Sequence, residues 1–355
     1  MNLDDLDYMR QLDVDGMLGF IDRLPSQLEE AWQTSRDFPL DEAGMHTRHV
    51  ILAGMGGSGI GGALLAAYGD HLGSVPVTVW RNYGLPAWAR GRDTLVIVAS
   101  HSGNTEEALS AFAEARRRGV SLMAITSGGA LADEANAASV PLWQFTFRAQ
   151  PRAAVGFLFV LPLACLTRLG LMPDPSADLA AALAAMRDQQ AHLRADIPAV
   201  HNPAKRMAGQ WMGRWVAVYG SDFLAPVARR WKTQIAEVAK AWAQYEELPE
   251  LDHNSIAGTL QPEDLTGRYM LIFRRSTLAH ARNELRARHT REILMVQGYG
   301  TDEYQPSGRN VLAHMLTTLH FGDYAAYFLA MAYGVDPSPV APITELKARM
   351  AQAEG

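Results

Sequence analysis

The stretch HVILAGMGGSGIGGALLAAYGDHL, residues 49–72, decides the fold. Residues 49–54 are a short apolar run ending in glycine, which predicts a buried strand. A glycine-rich turn follows, and residues 60–72 carry a helical pattern. Working downstream, the sequence predicts strands over 75–80, 93–100 (DTLVIVAS), 120–126 and 139–145, with a long helix ending at Arg118. Strands alternating with helices imply a parallel sheet covered on both faces, joined by right-handed crossovers. Upstream, residues 3–34 show apolar positions at helical spacing.

The pattern then restarts. Residues 179–196 read as helix, 215–219 as strand, 227–242 as helix and 269–273 as strand. A charged helix over 278–291, a strand over 293–296 and a long apolar helix over 310–333 complete it. The expected fold class is α/β, with two tandem domains that are each a parallel sheet flanked by helices. Gly170, Pro173 and Pro175 place the boundary. The expected division is 1–175, 176–335, and a tail over 336–355 whose short helix carries Lys347.

Composition narrows the function. The chain has 355 residues, 48% of them hydrophobic, enough for two cores. A net charge of −6 argues against general affinity for nucleic acid, which needs a basic face. The single cysteine, Cys165, has apolar neighbours, so it reads as a buried small hydrophobe and fits a reducing compartment. The first residues are acidic and polar, unlike a secretory signal. The longest apolar run, 153–166, is broken by Pro162 and is too short to span a bilayer. The expectation is a cytoplasmic protein with no membrane or nucleic-acid partner.

Two loops ask for a phosphate. The first, GMGGSG over 54–59, places Gly56, Gly57 and Ser58 between a strand and a helix start, where N–H groups and the positive dipole end attract an anion. The second, SHSGNT over 100–105, sets Ser100, Ser102 and Thr105 around one helix start. Capping needs one hydroxyl, so three beside a glycine read as a cradle for phosphate oxygens. Both lie where parallel strands end, the ligand edge of such sheets. The first loop also fits G-x-G-x-x-G, but residues 79–83 (VWRNY) lack the acid that a dinucleotide site predicts. Arg81 there leaves an NADP enzyme as the alternative. No P-loop lysine follows either loop, which argues against ATP. His46 and His49 sit beside Arg48 and make no metal site. No cofactor is expected.

These loops and their spacing resemble the sugar isomerase (SIS) domain, and their pairing resembles the phosphoglucose isomerase superfamily. Residues 127–132 (SGGALA), 150–152 (QPR), 232–237 (KTQIAE), 247–254 (ELPELDHN) and the Asp336-Pro tail ending at Lys347 resemble the bifunctional phosphoglucose/phosphomannose isomerases of archaea and bacteria. The resemblance covers roughly 45–350. It implies a flavodoxin-like three-layer sandwich in each domain. It also implies interconversion of glucose 6-phosphate, and of mannose 6-phosphate, with fructose 6-phosphate through an enediol(ate). Its implied residues are Glu237 as base, Arg152 as the cation facing the enediolate, and Lys347 and His253 for ring opening. It further implies a homodimer in which His253 comes from the partner subunit.

Read from pattern alone, Glu237 points away from a helical stripe of Val227, Trp231, Ile235, Val238 and Trp242, and pairs with Lys240 in solvent. His253 alone reads as a loop histidine, and Arg152 as a loop arginine. The chain departs from the family where Ala236 and Val238 replace asparagines beside the glutamate, where Ser255 replaces an acid after His-Asn, and where His101 replaces tyrosine between the paired serines. The changes beside Glu237 and His253, at Ala236, Val238 and Ser255, favour one rival, a sugar-phosphate sensor that binds without turnover.

Overall fold

The computed structural model describes residues 2–40 and 46–352. The N-terminal helical region is three helices, α1 (Leu6–Leu12), α2 (Met17–Asp22) and α3 (Leu24–Thr34). Gly16, with φ of 69°, breaks the first from the second. The Asp13 carboxylate then accepts from the Met17 and Leu18 N–H groups at 2.7 and 2.9 Å, capping α2.

The first sheet is built from β1 (His49–Ala53), α4 (Gly56–Leu72), β2 (Val77–Trp80), β3 (Thr94–Ser100), α5 (Glu106–Arg118), β4 (Ser121–Thr126), α6 (Gly129–Ala137) and β5 (Leu142–Gln144), followed by α7 (Val155–Arg168). All its pairings are parallel, in the order β2-β1-β3-β4-β5, with Val50 opposite Val77 on one side and Leu95 on the other. The second half runs α8 (Ser176–Gln190), α9 (Pro203–Trp211), β6 (Trp215–Ser221), α10 (Ala225–Val238), β7 (Ala243–Leu248), β8 (Tyr269–Arg274), α11 (Ala281–Val296), β9 (Gly300–Tyr304), α12 (Val311–Tyr333) and α13 (Ala341–Gln352). Its four parallel strands, β7-β6-β8-β9, repeat the winding of the first four in the other sheet. The α/β fold with two SIS-type halves is as expected.

Three readings of the second half need correction. The helix expected over 227–242 stops at Val238, because Lys240 adopts a left-handed φ of 56° and turns the chain into β7. Trp242 therefore leaves the buried stripe and is 75% exposed. The apolar run 293–296 is the end of α11, and the strand lies further on at Gly300–Tyr304, whose polar residues hide its identity. The helix expected over 179–196 ends at Gln190, and α9 was missed despite its Asn202 cap and the proline at its first position.

Helices α4, α7, α10 and α12 form a central layer between the sheets. Inner-facing Leu52 and Ile97 from one sheet and Val218 and Ile272 from the other join them in one apolar cluster. Outer-facing Val96 and Val98 pack on Ala111 and Phe112 of α5, and Leu271 and Phe273 on Ala287 and Leu294 of α11. Strands buried on both faces read as continuous apolar runs, as β3 does. The segment Pro151–Arg168 is the one described helix apolar and long enough to cross a membrane, and it is mostly buried in the central layer. Cys165 is buried there too, and burial pushes its thiol up to about 12.

Candidate active site

The first loop forms because Gly54 closes β1 and Met55, extended, precedes the first turn of α4 without any side-chain cap. The N–H groups opening α4 thus receive no cap from the Met55 side chain. Ser58 lies in that turn and is buried. Gly57 is there for close approach: a Cβ on it would stand 2.6 Å from the Pro151 carbonyl oxygen. That contact seats the 3-10 turn Pro151–Ala154, and with it Arg152, against the loop.

The second loop is tied internally. The Ser100 and Thr105 hydroxyls are 3.0 Å apart, and the Gly103 N–H donates to Ser100 Oγ at 3.1 Å. Asn104 N–H donates to Ser102 Oγ at 3.2 Å. Thr105 stands at the N-cap of α5 without making the cap bond, so its hydroxyl stays with the cradle. Gly103 has φ of 69°, and a Cβ there would collide with the Gly128 carbonyl oxygen. His101 points away from the loop. Its Nε2 meets the Phe147 carbonyl oxygen at 3.0 Å beside the rings of Phe145 and Phe147, and burial holds its pKa below the usual value. It thereby pins the segment leading to Arg152.

Arg152 is the centre of the arrangement. It is 3% exposed, and its Nη2 donates to the carbonyl oxygens of Pro337, at 2.8 Å, and of Ser338. Its Nη1 lies 3.6 Å from Oε2 of Glu237, and its Nε is buried with no partner among the described residues. Burial lowers the Arg152 pKa, and the Glu237 carboxylate opposes that fall. Glu237 itself is part-exposed at the end of α10, away from the buried stripe as its helical position predicts.

Residues that sequence reasoning missed hold this cation in place. Arg230, buried on α10, donates to the Arg152 carbonyl oxygen at 2.9 Å and makes a two-pronged pair with Asp323 of α12, at 3.1 and 2.9 Å. The signal was present: an acid inside the apolar run of α12 and an arginine on the core face of α10. The i, i+3 spacing predicts Lys240 as a solvent partner of the Glu237 carboxylate. Its Nζ instead donates to the Glu237 and Pro337 carbonyl oxygens. Burial, with the nearby Arg152 charge, lowers it to about 8.

Two expected residues are not joined to this cluster within the chain. His253 is exposed on the turn Glu250–His253, just after β7. Since α10 runs antiparallel to the strands, Glu237 lies at the end where β7 begins and His253 where it finishes. The six residues of β7 separate those ends by about 20 Å. Lys347 lies on α13, whose described residues are all exposed, and no hydrogen bond or ion pair links it to Arg152 or Glu237. The tail reaches the site through the Pro337 and Ser338 carbonyls. Among the described residues, no three His, Cys, Asp or Glu side chains gather as metal ligands. A cavity of about 730 Å³, lined by His192, His201, Arg206 and Glu303 among others, includes none of these site residues.

Comparison with known proteins places the chain. Residues 45–163 match the SIS domain, and residues 200–350 match the bacterial phospho-glucose isomerase C-terminal SIS domain. A bifunctional phosphoglucose/phosphomannose isomerase of Caldicellulosiruptor bescii is 33% identical over 93% of this chain and 97% of that protein. One from Aquifex aeolicus is 33% identical over 84% and 89%. Among solved structures, the C-terminal domain of glucosamine-fructose-6-phosphate aminotransferase from Francisella tularensis superimposes with a TM-score of 0.71, at 14% identity, over 92% of this chain and 99% of that one. At that identity the last shows the fold alone. The chain belongs to the bifunctional phosphoglucose/phosphomannose isomerase family.

Proposed function

We propose that this protein interconverts glucose 6-phosphate, and mannose 6-phosphate, with fructose 6-phosphate through an enediol(ate). The observation that carries the proposal is the placement of Arg152, against the first phosphate loop and 3.6 Å from the Glu237 carboxylate. Ser58, Ser100, Ser102 and Thr105, with the N–H groups at Gly56 and Gly57, hold the phosphate. Glu237 moves the proton between C1 and C2. Arg152 meets the oxyanion that develops through Nη1, which makes no carbonyl contact.

His253 opens the sugar ring, and it comes from the partner subunit of a homodimer. The span of β7 between Glu237 and His253 supports this, since one chain does not bring them together. Lys347, on a helix exposed along its described length, assists the same step. A coupled assay with both aldose phosphates tests the proposal: it predicts turnover of each. Binding without interconversion would instead favour the sensor reading, which the altered neighbours Ala236, Val238 and Ser255 keep in view.

A further inference from the structure

Resting on the reading that His253 completes the partner's site, we infer that edge strand β7 lies antiparallel beside the β7 of a second copy of this chain. A two-fold axis passes through the midpoint between any atom and its symmetry mate. If the partner subunit's His253 sits at Glu237, the axis passes near the midpoint of Glu237 and His253 within one chain. Those residues bracket β7, so that midpoint falls beside the middle of the strand, at residues 245–247.

The strand suits this place. It ends its sheet, so one row of its ladder groups has no neighbouring strand. Tyr245 and Glu246 are half-buried and Glu247 is exposed. The charges near it are unbalanced within the chain. The Arg229 guanidinium stands 5.6 Å from the Tyr245 ring centroid. Arg81 is bonded to the Gly59 carbonyl oxygen at 2.8 Å, and burial first, then the neighbouring Arg229 charge, disfavour its charged form. Among the described residues neither arginine has a carboxylate partner, and Glu247 has no basic one. Alternation puts Glu247 on the same face as Tyr245. An antiparallel copy brings the partner's Glu247 toward Tyr245 and its two arginines, and symmetry repeats the exchange.

The test uses the whole chain with Cys165→Ser, so that no native thiol reacts. Glu246→Cys, at the residue this register places opposite its own copy, should form a disulfide with that copy on mild oxidation, giving a covalent dimer on a non-reducing gel. Val14→Cys, 76% exposed and outside the second sheet, should not. Arg229→Glu and Glu247→Arg should each raise the dimer dissociation constant about tenfold or more, and the double exchange should restore it. A dimer in sedimentation that neither cross-links through 245, 246 or 247 nor responds to either charge reversal overturns the β7 contact, while leaving the shared site to be judged separately. A monomeric wild-type chain overturns both.

Discussion

The Nη1 atom of Arg152 stands 3.6 Å from Oε2 of Glu237, and the two residues come from opposite halves of the chain. Arg152 follows the first sheet and Glu237 ends α10 of the second, so the packing of the halves on each other sets this spacing. Because Arg152 is buried and held by two tail carbonyls, its position is fixed before substrate arrives. Arg152→Ala should therefore lower kcat with little change in KM, since the charge it meets develops in the transition state. Arg152→Lys should recover only part of the rate, because an ammonium lacks the planar fork. Steady-state kinetics of the two variants checks this, and an unchanged kcat in Arg152→Ala would exclude the role.

The hydroxyl cradle should act on binding. Hydrogen bonds to charged groups contribute roughly 1.5–3 kcal/mol each. Ser102→Ala combined with Thr105→Ala should raise KM for the sugar phosphates by about tenfold or more. Inorganic phosphate should lose potency as a competitive inhibitor in parallel. A KM like that of the wild type would place the phosphate elsewhere.

The buried pair of Arg230 and Asp323 should be costly to break from one side. Asp323→Asn leaves a buried guanidinium uncompensated, which destabilises by about 3–5 kcal/mol. Replacing both residues with apolar ones should cost less in a urea titration than either single change. The double variant should nevertheless lose kcat, because the Arg152 carbonyl has lost its donor. A double variant with full kcat would limit the pair to stability.

Mixed dimers test the shared site. Glu237→Gln and His253→Ala should each be nearly inactive. Co-expressed in equal amounts, about half the dimers are mixed, and each mixed dimer has one intact site of two. Activity should return to roughly a quarter of the wild-type level. Isolated mixed dimers as inactive as their parents would mean that each site is built within one chain, or without His253.

Much of the architecture was legible because apolar runs such as 94–100, bounded by glycine and hydroxyl turns, have few other interpretations. The second sheet was harder. β9 reads Gly-Thr-Asp-Glu-Tyr and carries no apolar signal, while the apolar end of α11 imitates a strand. The end of α10 depends on a left-handed lysine that composition does not mark. At the candidate site, the placement of the two glycine and hydroxyl loops between a strand and a helix was visible from residue type and spacing. The cluster around Arg152 was not, because Arg230, Asp323 and the Pro337 carbonyl join it from 78 to 185 residues away. Nor does pattern show that Arg152 approaches Glu237, since the two lie 85 residues apart in sequence.

The most direct test of the account follows the proton itself. Fructose 6-phosphate incubated with the enzyme in deuterated water should yield glucose 6-phosphate carrying deuterium at C2, read by proton NMR. Glu237→Gln should slow isomerisation and C2 exchange together, by about 10²–10⁴-fold, while still binding the sugar phosphate. Isomerisation and exchange at the wild-type rate in that variant would contradict proton transfer by Glu237.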